Sequence, residues 1–522
     1  MTWLDVGSEA DLKSKGRRVV KAGHKQILLL LQGDQIFACN NRCPHEGYPL
    51  SEGTLGPGCT LTCNWHNWKF NLESGETLVG GDTLRQYLIE IRGGRIFVDV
   101  SDAPPQERQQ NALINLAAAC ADNDYPRMAR EIARYLRAEG DPFEPLRQTI
   151  ANRTSLFEYG MGHAFAAAPE WIELFRLANT DEQRLVALVE PVAHIAWDTL
   201  REASYPYAGG QQSWNEDEFV QCVELEDEQG AIARLRGALE QGVAILPSVK
   251  RAFSRAALAH YQDFGHSAIY TLKAFELIEK LGVSVAAPAL MSLTRSLIYA
   301  SREDRIPEFR HYGKALADWG RAAPTDLTAR DLVGLSVNAV LNSTSCIKGD
   351  FEEKYRVLLE ACALAMLRFD TTIDDHVEKS VSHNVRWLDF THALTFGNAV
   401  RRLCAETPSL WPQALLQMAC FLGRNASFLK PKVDERWFVE DKRAYFERER
   451  RSLYDHGIRE PIYACHRVKV LAAVAEEVAW AGPSTLADCL VAASNRYLNH
   501  SIKNHHVLRF AHQSLSFVAA EG

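Results

Sequence analysis

Cys43-Pro44-His45 and, seventeen residues further on, Cys63-Asn64-Trp65-His66 decide how this chain is read. The pattern is C-x-H-x17-C-x2-H, with glycines and prolines around both pairs (Gly47, Pro49, Gly53, Gly56, Pro57, Gly58). Two thiolates suit one iron of a [2Fe–2S] cluster, and two neutral imidazoles suit the other. Replacing anionic ligands by neutral ones raises the cluster's potential. Each pair needs a tight loop at a hairpin tip, which is what glycine and proline supply. Tetrahedral zinc accepts the same four ligands. Zinc fingers, however, set two Cys close together and two His on a helix, whereas here each Cys is paired with a His. The spacing favours the cluster, with Cys43, His45, Cys63 and His66 as ligands.

Outward from the motif, residues 1 to about 100 read as short strands. Apolar runs at 19–20, 26–31, 35–38 and 95–100 are separated by Gly33-Asp34, Gly56-Pro57-Gly58 and Gly93-Gly94. The stretch Ser101-Asp102-Ala103-Pro104-Pro105-Gln106 then breaks the pattern and reads as a linker. Beyond it the period changes. Stretches such as 128–139, 231–241 and 351–368 repeat apolar residues at three- and four-residue spacing, the mark of amphipathic helices. The expected architecture is therefore multidomain: a small all-β domain over 1–102, a linker over 103–112, and an all-α region over 113–522 in one or two subdomains.

The composition is ordinary for a globular protein, and the formal charge of −8 argues against a nucleic-acid partner. The opening Met1-Thr2-Trp3-Leu4-Asp5 lacks a basic-then-apolar leader, and the apolar run at 27–31 is too short to span a membrane. The expectation is a cytoplasmic protein with no membrane association, its thiols free or metal-bound.

Residues 3 to about 100 resemble a Rieske domain of the ferredoxin and aromatic-ring oxygenase type. The resemblance rests on the two ligand pairs and on Trp65, Trp68 and Phe70 in the second loop. Respiratory Rieske proteins carry an extra Cys in each loop; this chain has Tyr48 and Trp65 there. That difference implies a low-potential electron carrier. Cys39 and Cys59 fall outside the motif and read as packing residues. No G-x-G-x-x-G follows a strand, so the reductant is expected to be a separate NAD(P)H-dependent reductase or ferredoxin.

The electron acceptor has to be sought among the helices, where fourteen of the seventeen histidines lie. Ring oxygenases hold catalytic iron with D-x2-H-x4-H. His500 and His505 have the second spacing, but Tyr497 stands at the Asp position and the surroundings are helical, so that catalytic domain is rejected. The helical region instead repeats G-H-[AS]-x8-E-L, at His163 and at His266 with Glu276. It also repeats H-x2-K, at His466–Lys469 and at His500–Lys503. Asp389 and His392, three residues apart, share a helix face. A lone helical His is more often a core residue than a ligand. A fused Rieske domain needs an acceptor, however, and imidazoles with carboxylates suit non-haem iron. The second-iron candidates are His163, His266, His392, His466 and His500, with Glu276 and Asp389. No catalytic acid or base is assigned. No C-x-x-C-H supports covalent haem.

Blocks at 265–282 (His266, Glu276), 391–403 (His392) and 499–503 (His500) resemble the questin oxidase-like family of helical oxidoreductases, linked to Baeyer–Villiger chemistry on aromatic polyketides. The family more often has a second His where this chain has Tyr270, and it normally lacks a Rieske domain. The expected function is a two-component oxygenase. A reductase feeds the cluster, the cluster feeds non-haem iron, and O2 oxidises a small organic substrate, aromatic under the resemblance. Two alternatives are a metal-free oxidase with a sensing cluster and an electron-transfer scaffold without catalysis. By analogy with multicomponent oxygenases a homo-oligomer is expected.

Overall fold

The computed structural model describes residues 1–380 and 384–521. It forms two compact units, Met1–Pro145 and Leu146–Gly522. The first begins with the β structure, and a large all-α region follows it from residue 105 to 520.

Among the described residues ten strands build three antiparallel sheets. β1 (Trp3–Ser8), β10 (Arg95–Asp99) and β9 (Ile89–Arg92) form one, in that order. β2 (Arg17–Ala22), β3 (Lys25–Gln32) and β4 (Gln35–Asn40) form the second. β5 (Thr54–Gly56), β6 (Thr60–Thr62), β7 (Lys69–Asn71) and β8 (Thr77–Val79) form the third. Strand β3 explains the layering. Its run Ile27-Leu28-Leu29-Leu30 is fully buried because alternate side chains enter two different cores. Leu28 and Leu30 pack with Cys39, Cys43, Cys63 and Phe70. Ile27 and Leu29 pack with Leu12, Ile96 and Val98. The same strand therefore supports the cysteine loops on one side and the β1–β10–β9 sheet on the other.

The domain boundary lies further along the chain than the paired prolines suggest. Pro105 opens a helix, Pro105–Asp122, at its first position, where the missing N–H costs nothing. Most of the stretch read as a 103–112 linker is thus helical. A second helix, Tyr125–Arg137, completes the first unit. It is tied to the β structure by Asp82, whose carboxylate is fully buried and accepts from Arg130 and Arg134, each at 2.6 Å. Burial pushes that carboxyl up, but the two guanidiniums outweigh it and hold it below the ordinary carboxylate range. Asp82→Ala is expected to destabilise the first unit by about 3 kcal/mol, since it strips a buried partner from two arginines. A urea melt followed by the cluster's visible circular dichroism measures it.

In the second unit five helices pack on one another: His163–Leu177, Asp181–Asp198, His266–Leu281, Trp387–Glu406 and Pro461–Ala481. Val283–Arg305 has the length and hydropathy of a membrane span. Its continuous helix is only the fourteen residues Ala286–Tyr299, about 21 Å long against a hydrocarbon core of about 30 Å, and Leu290, Leu293 and Leu297 are buried.

Candidate functional site: two metal-binding constellations

The two cysteine loops are built alike. The Cys43 N–H donates to the Tyr48 carbonyl at 2.9 Å, and the Gly47 N–H donates back to the Cys43 carbonyl at 2.8 Å. In the second loop the Cys63 N–H donates to Trp68 at 2.7 Å, and the Asn67 N–H to Cys63 at 3.0 Å. The fifth residue of each loop has a left-handed backbone, Gly47 at φ +76° and Asn67 at φ +61°, and these residue types tolerate it best. Cys43 and Cys63 lie buried in the β core, and burial pushes the Cys43 thiol up to about 11. Such a sulfur becomes a thiolate at neutral pH only beside a cation. The histidines face outward. The His45 and His66 rings meet edge-on with centroids 4.8 Å apart, and His45 stacks on Trp68 at 4.5 Å. Tyr48 and Trp65 meet each other at 5.2 Å. A buried sulfur end and an accessible imidazole end fit a cluster that exchanges electrons through its histidines.

The Rieske [2Fe-2S] domain family matches residues 2–84. Through them, the chain belongs to the Rieske family. The 3-phenylpropionate/cinnamic acid dioxygenase ferredoxin subunit of Escherichia coli is 36% identical over 81 residues, 15% of this chain and 76% of that protein. The ferredoxin component of the Xanthobacter autotrophicus alkene monooxygenase system is 27% identical over 105 residues, 20% of this chain and 86% of its own length. Human apoptosis-inducing factor 3 is 32% identical over 106 residues, and this chain spans only 17% of it. The Rieske domain is thus of the oxygenase-ferredoxin type, and the helical region carries no family assignment.

Four of the five candidate helical histidines converge. His163 Nε2 lies 3.2 Å from His266 Nε2, and His392 Nε2 lies 3.0 Å from His466 Nε2. The two pairs interlock, with 4.3 Å between the His266 and His392 ring centroids and 4.7 Å between those of His163 and His466. The G-H repeat has a structural meaning here. Gly162 and Gly265 are N-caps, so His163 and His266 are each the first residue of a helix. His392 and His466 sit on the second turn of two longer helices.

Hydrogen bonds set the direction of these rings. His466 Nδ1 donates to the Ile462 carbonyl at 2.7 Å, His266 Nδ1 donates to Asp263 O at 2.5 Å, and His392 bonds the Leu388 backbone. Their Nε2 atoms therefore carry the lone pairs. His163 Nδ1 pairs with the Tyr270 hydroxyl at 3.2 Å. Burial holds all four imidazoles neutral, well below their ordinary range for His163, His392 and His466, and the nearby Lys469 adds to it. Lys469 is itself lowered by burial, and its Nζ has no hydrogen-bond partner. Lone pairs facing one another at 3.0 Å repel unless a cation lies between them. Two nitrogens about 2.1 Å from one ion and at right angles are themselves about 3.0 Å apart. The donor set fits a metal ion.

A strained turn supports His266. Asp263, Phe264 and Gly265 all have left-handed backbone, at φ +45°, +51° and +88°. A Cβ on Gly265 would lie 2.6 Å from the Phe421 ring and 2.8 Å from that of Phe396. Gly265→Ala is expected to destabilise the second unit by about 2–4 kcal/mol and to shift the His266 ring, as read by thermal melting and metal content.

The remaining candidates lie elsewhere. His500 follows the end of the Thr485–Asn499 helix, where the chain turns away, and its ring lies 5.6 Å from Trp387. Glu276 is ten residues from His266, about 15 Å along the helix, and there it meets Lys273 at 2.8 Å and Arg402. Asp389 folds back to cap its own helix, accepting from the Arg386 N–H at 2.9 Å. Glu276 and Asp389 thus lie outside the group that the four imidazoles form.

A cavity of about 490 Å3 reaches this group and is lined by His163, His266, Tyr270 and Asp198, among others. Asp198 was not among the candidates. Burial pushes its carboxyl up to about 7. It ends a helix and belongs to no motif, so only its position in space marks it.

Proposed function

We propose that the helical unit binds one non-haem iron ion through His163, His266, His392 and His466, and that the Rieske cluster, held by Cys43, His45, Cys63 and His66, supplies its electrons. The chain is then an O2-dependent oxygenase for a small organic substrate, served by a separate reductase. The observation that carries the reading is the meeting of the neutral His392 and His466 lone pairs at 3.0 Å, with His163 and His266 facing each other at 3.2 Å beside them. Imidazole suits several transition metals; iron is chosen because an electron-carrying domain on the same chain calls for a redox-active acceptor. His163, His266 and His392 each bring one ligand atom within 4.8 Å of the others, and His466 joins through His392. Among the described residues no carboxylate belongs to this group, so it suits one ion and not a carboxylate-bridged pair.

Iron bound there supplies the means to bind and reduce O2. The protein's own contributions follow from the geometry. The backbone carbonyls of Asp263, Leu388 and Ile462 fix three rings with Nε2 inward. The Tyr270 hydroxyl, which burial keeps protonated, holds the fourth through Nδ1. The cavity orients the substrate against His163 and His266. Phe157, Met161, Tyr270 and Tyr299 in its wall displace water. Aromatic side chains in the wall favour a flat substrate, in keeping with the questin oxidase-like resemblance.

Iron quantitation with EPR tests the reading. Three irons per chain, two in the cluster and one outside it, are expected. Two irons with turnover surviving cluster loss would instead indicate a metal-free oxidase. Two irons with reversible cluster reduction and no O2 uptake would indicate an electron-transfer scaffold.

A further inference from the structure

The cavity beside the four histidines has a one-sided charge. Four acidic residues, Glu158, Asp198, Glu202 and Asp263, contribute to its lining, and among the described residues no Lys or Arg does. Three of them are engaged. Glu158 bonds the Tyr159 hydroxyl, Glu202 receives the Tyr205 hydroxyl at 3.4 Å, and Asp263 lies 3.5 Å from His266 Nδ1. Asp198 differs. The ion-pair contact found for it among the described residues is with His194 at 3.6 Å, beyond a good hydrogen bond, and burial pushes that imidazole down to about 3, so it carries no positive charge. Asp198 also ends the Asp181–Asp198 helix, where the helix dipole disfavours a negative charge. A half-buried carboxyl without a cation, at the wrong end of a helix, is unfavourable for folding. Such groups concentrate where a ligand uses them.

We propose that this cavity selects uncharged or cationic substrates over anionic ones, and that Asp198 is the residue that takes a hydrogen bond from a substrate O–H or N–H. The assignment rests on the cavity being the substrate site of the proposed oxygenase. A carboxylate, sulfonate or phosphate on the substrate would face four acidic residues with no Lys or Arg in the described lining to offset them, the iron proposed at the His163–His266 end being the one positive charge beside it. A hydroxyl or an amine instead gives Asp198 the donor that the protein does not. The T-shaped pair Tyr159–Tyr299, centroids 5.7 Å apart in the wall, suits a flat ring carrying that group.

Three probes of one shape test this: 2-naphthol, 2-naphthylmethylamine and 2-naphthoate, their binding to the anaerobic full-length protein followed by ligand-observed NMR. Binding needs no turnover, so it reads the cavity separately from the oxygenase assignment, which iron content tests. The naphthol and the amine are expected to bind at least about tenfold more tightly than the naphthoate. In Asp198→Asn that preference is expected to shrink to about threefold or less, with Asp198→Ser as a second variant should the first fold poorly. Tighter binding of the naphthol than of the amine would identify a hydroxylated substrate, and the reverse order an amine. Naphthoate binding as tightly as naphthol in the wild type overturns the proposal. An equal loss of preference in Glu202→Gln would trace selectivity to the net charge of the cavity and remove Asp198 from the role.

Discussion

His466→Ala is expected to lower the iron content from three to two per chain while leaving the reduced-cluster EPR signal unchanged. His466 Nε2 faces His392 Nε2 at 3.0 Å, and its Nδ1 is already committed to the Ile462 carbonyl, so no other atom of the side chain can serve as the ligand. The ring is fully buried, and alanine leaves a cavity as well as an incomplete donor set. Three imidazoles remain, which is enough for weak binding, so added Fe2+ is expected to restore part of the metal but not O2 consumption. His500→Ala, by contrast, is expected to keep all three irons, because that ring lies against Trp387 and outside the group. Equal iron loss in the two variants, or none in either, would remove the proposed centre.

Cys63→Ser is expected to have the opposite signature. Cys63 is buried beside Cys43 in the core that Leu28, Leu30 and Phe70 complete. A serine hydroxyl there is a poor substitute for a thiolate, so both cluster irons should be lost and the EPR signal with them, leaving one iron per chain. Reductase-driven turnover is then expected to fall to background even though the His163–His466 group keeps its metal. Turnover that survives would mean that the helical unit does not draw its electrons from the cluster. Together the two variants separate the centres: each should remove one and spare the other.

The cysteine–histidine site was legible because each ligand pair sits within four residues on its own loop. Chain spacing and spatial geometry are nearly the same thing there, and turn-forming residues announce the loops. The helical histidines come from positions 103 and 74 residues apart within each facing pair. No local spacing encodes such a meeting. The G-H repeat helped because Gly162 and Gly265 are the N-caps of the two helices that His163 and His266 begin. The same repeat misled at Glu276, which helix rise carries about 15 Å from its histidine. The H-x2-K repeat was equally divided: His466 is inside a helix, whereas His500 comes just after one ends. The linker was misplaced for a similar reason, since proline opens a helix as readily as it interrupts one, and the Asp82 contact that binds the Tyr125–Arg137 helix to the β structure spans 48 residues.

The sequence by itself determined the two architectures, the Rieske loops that carry Cys43, His45, Cys63 and His66, and the list from which the histidine group had to come. Local physics suffices for these: strand alternation, helical period and the turn chemistry of a few adjacent residues. Only the tertiary structure decided that four helices bring four Nε2 atoms together as two facing pairs. It also excluded His500, Glu276 and Asp389 from the group and placed Asp198, with no cation, in the cavity beside it. Convergence and charge balance depend on how helices pack across the chain, and a burial-raised carboxyl is defined by what surrounds it in space.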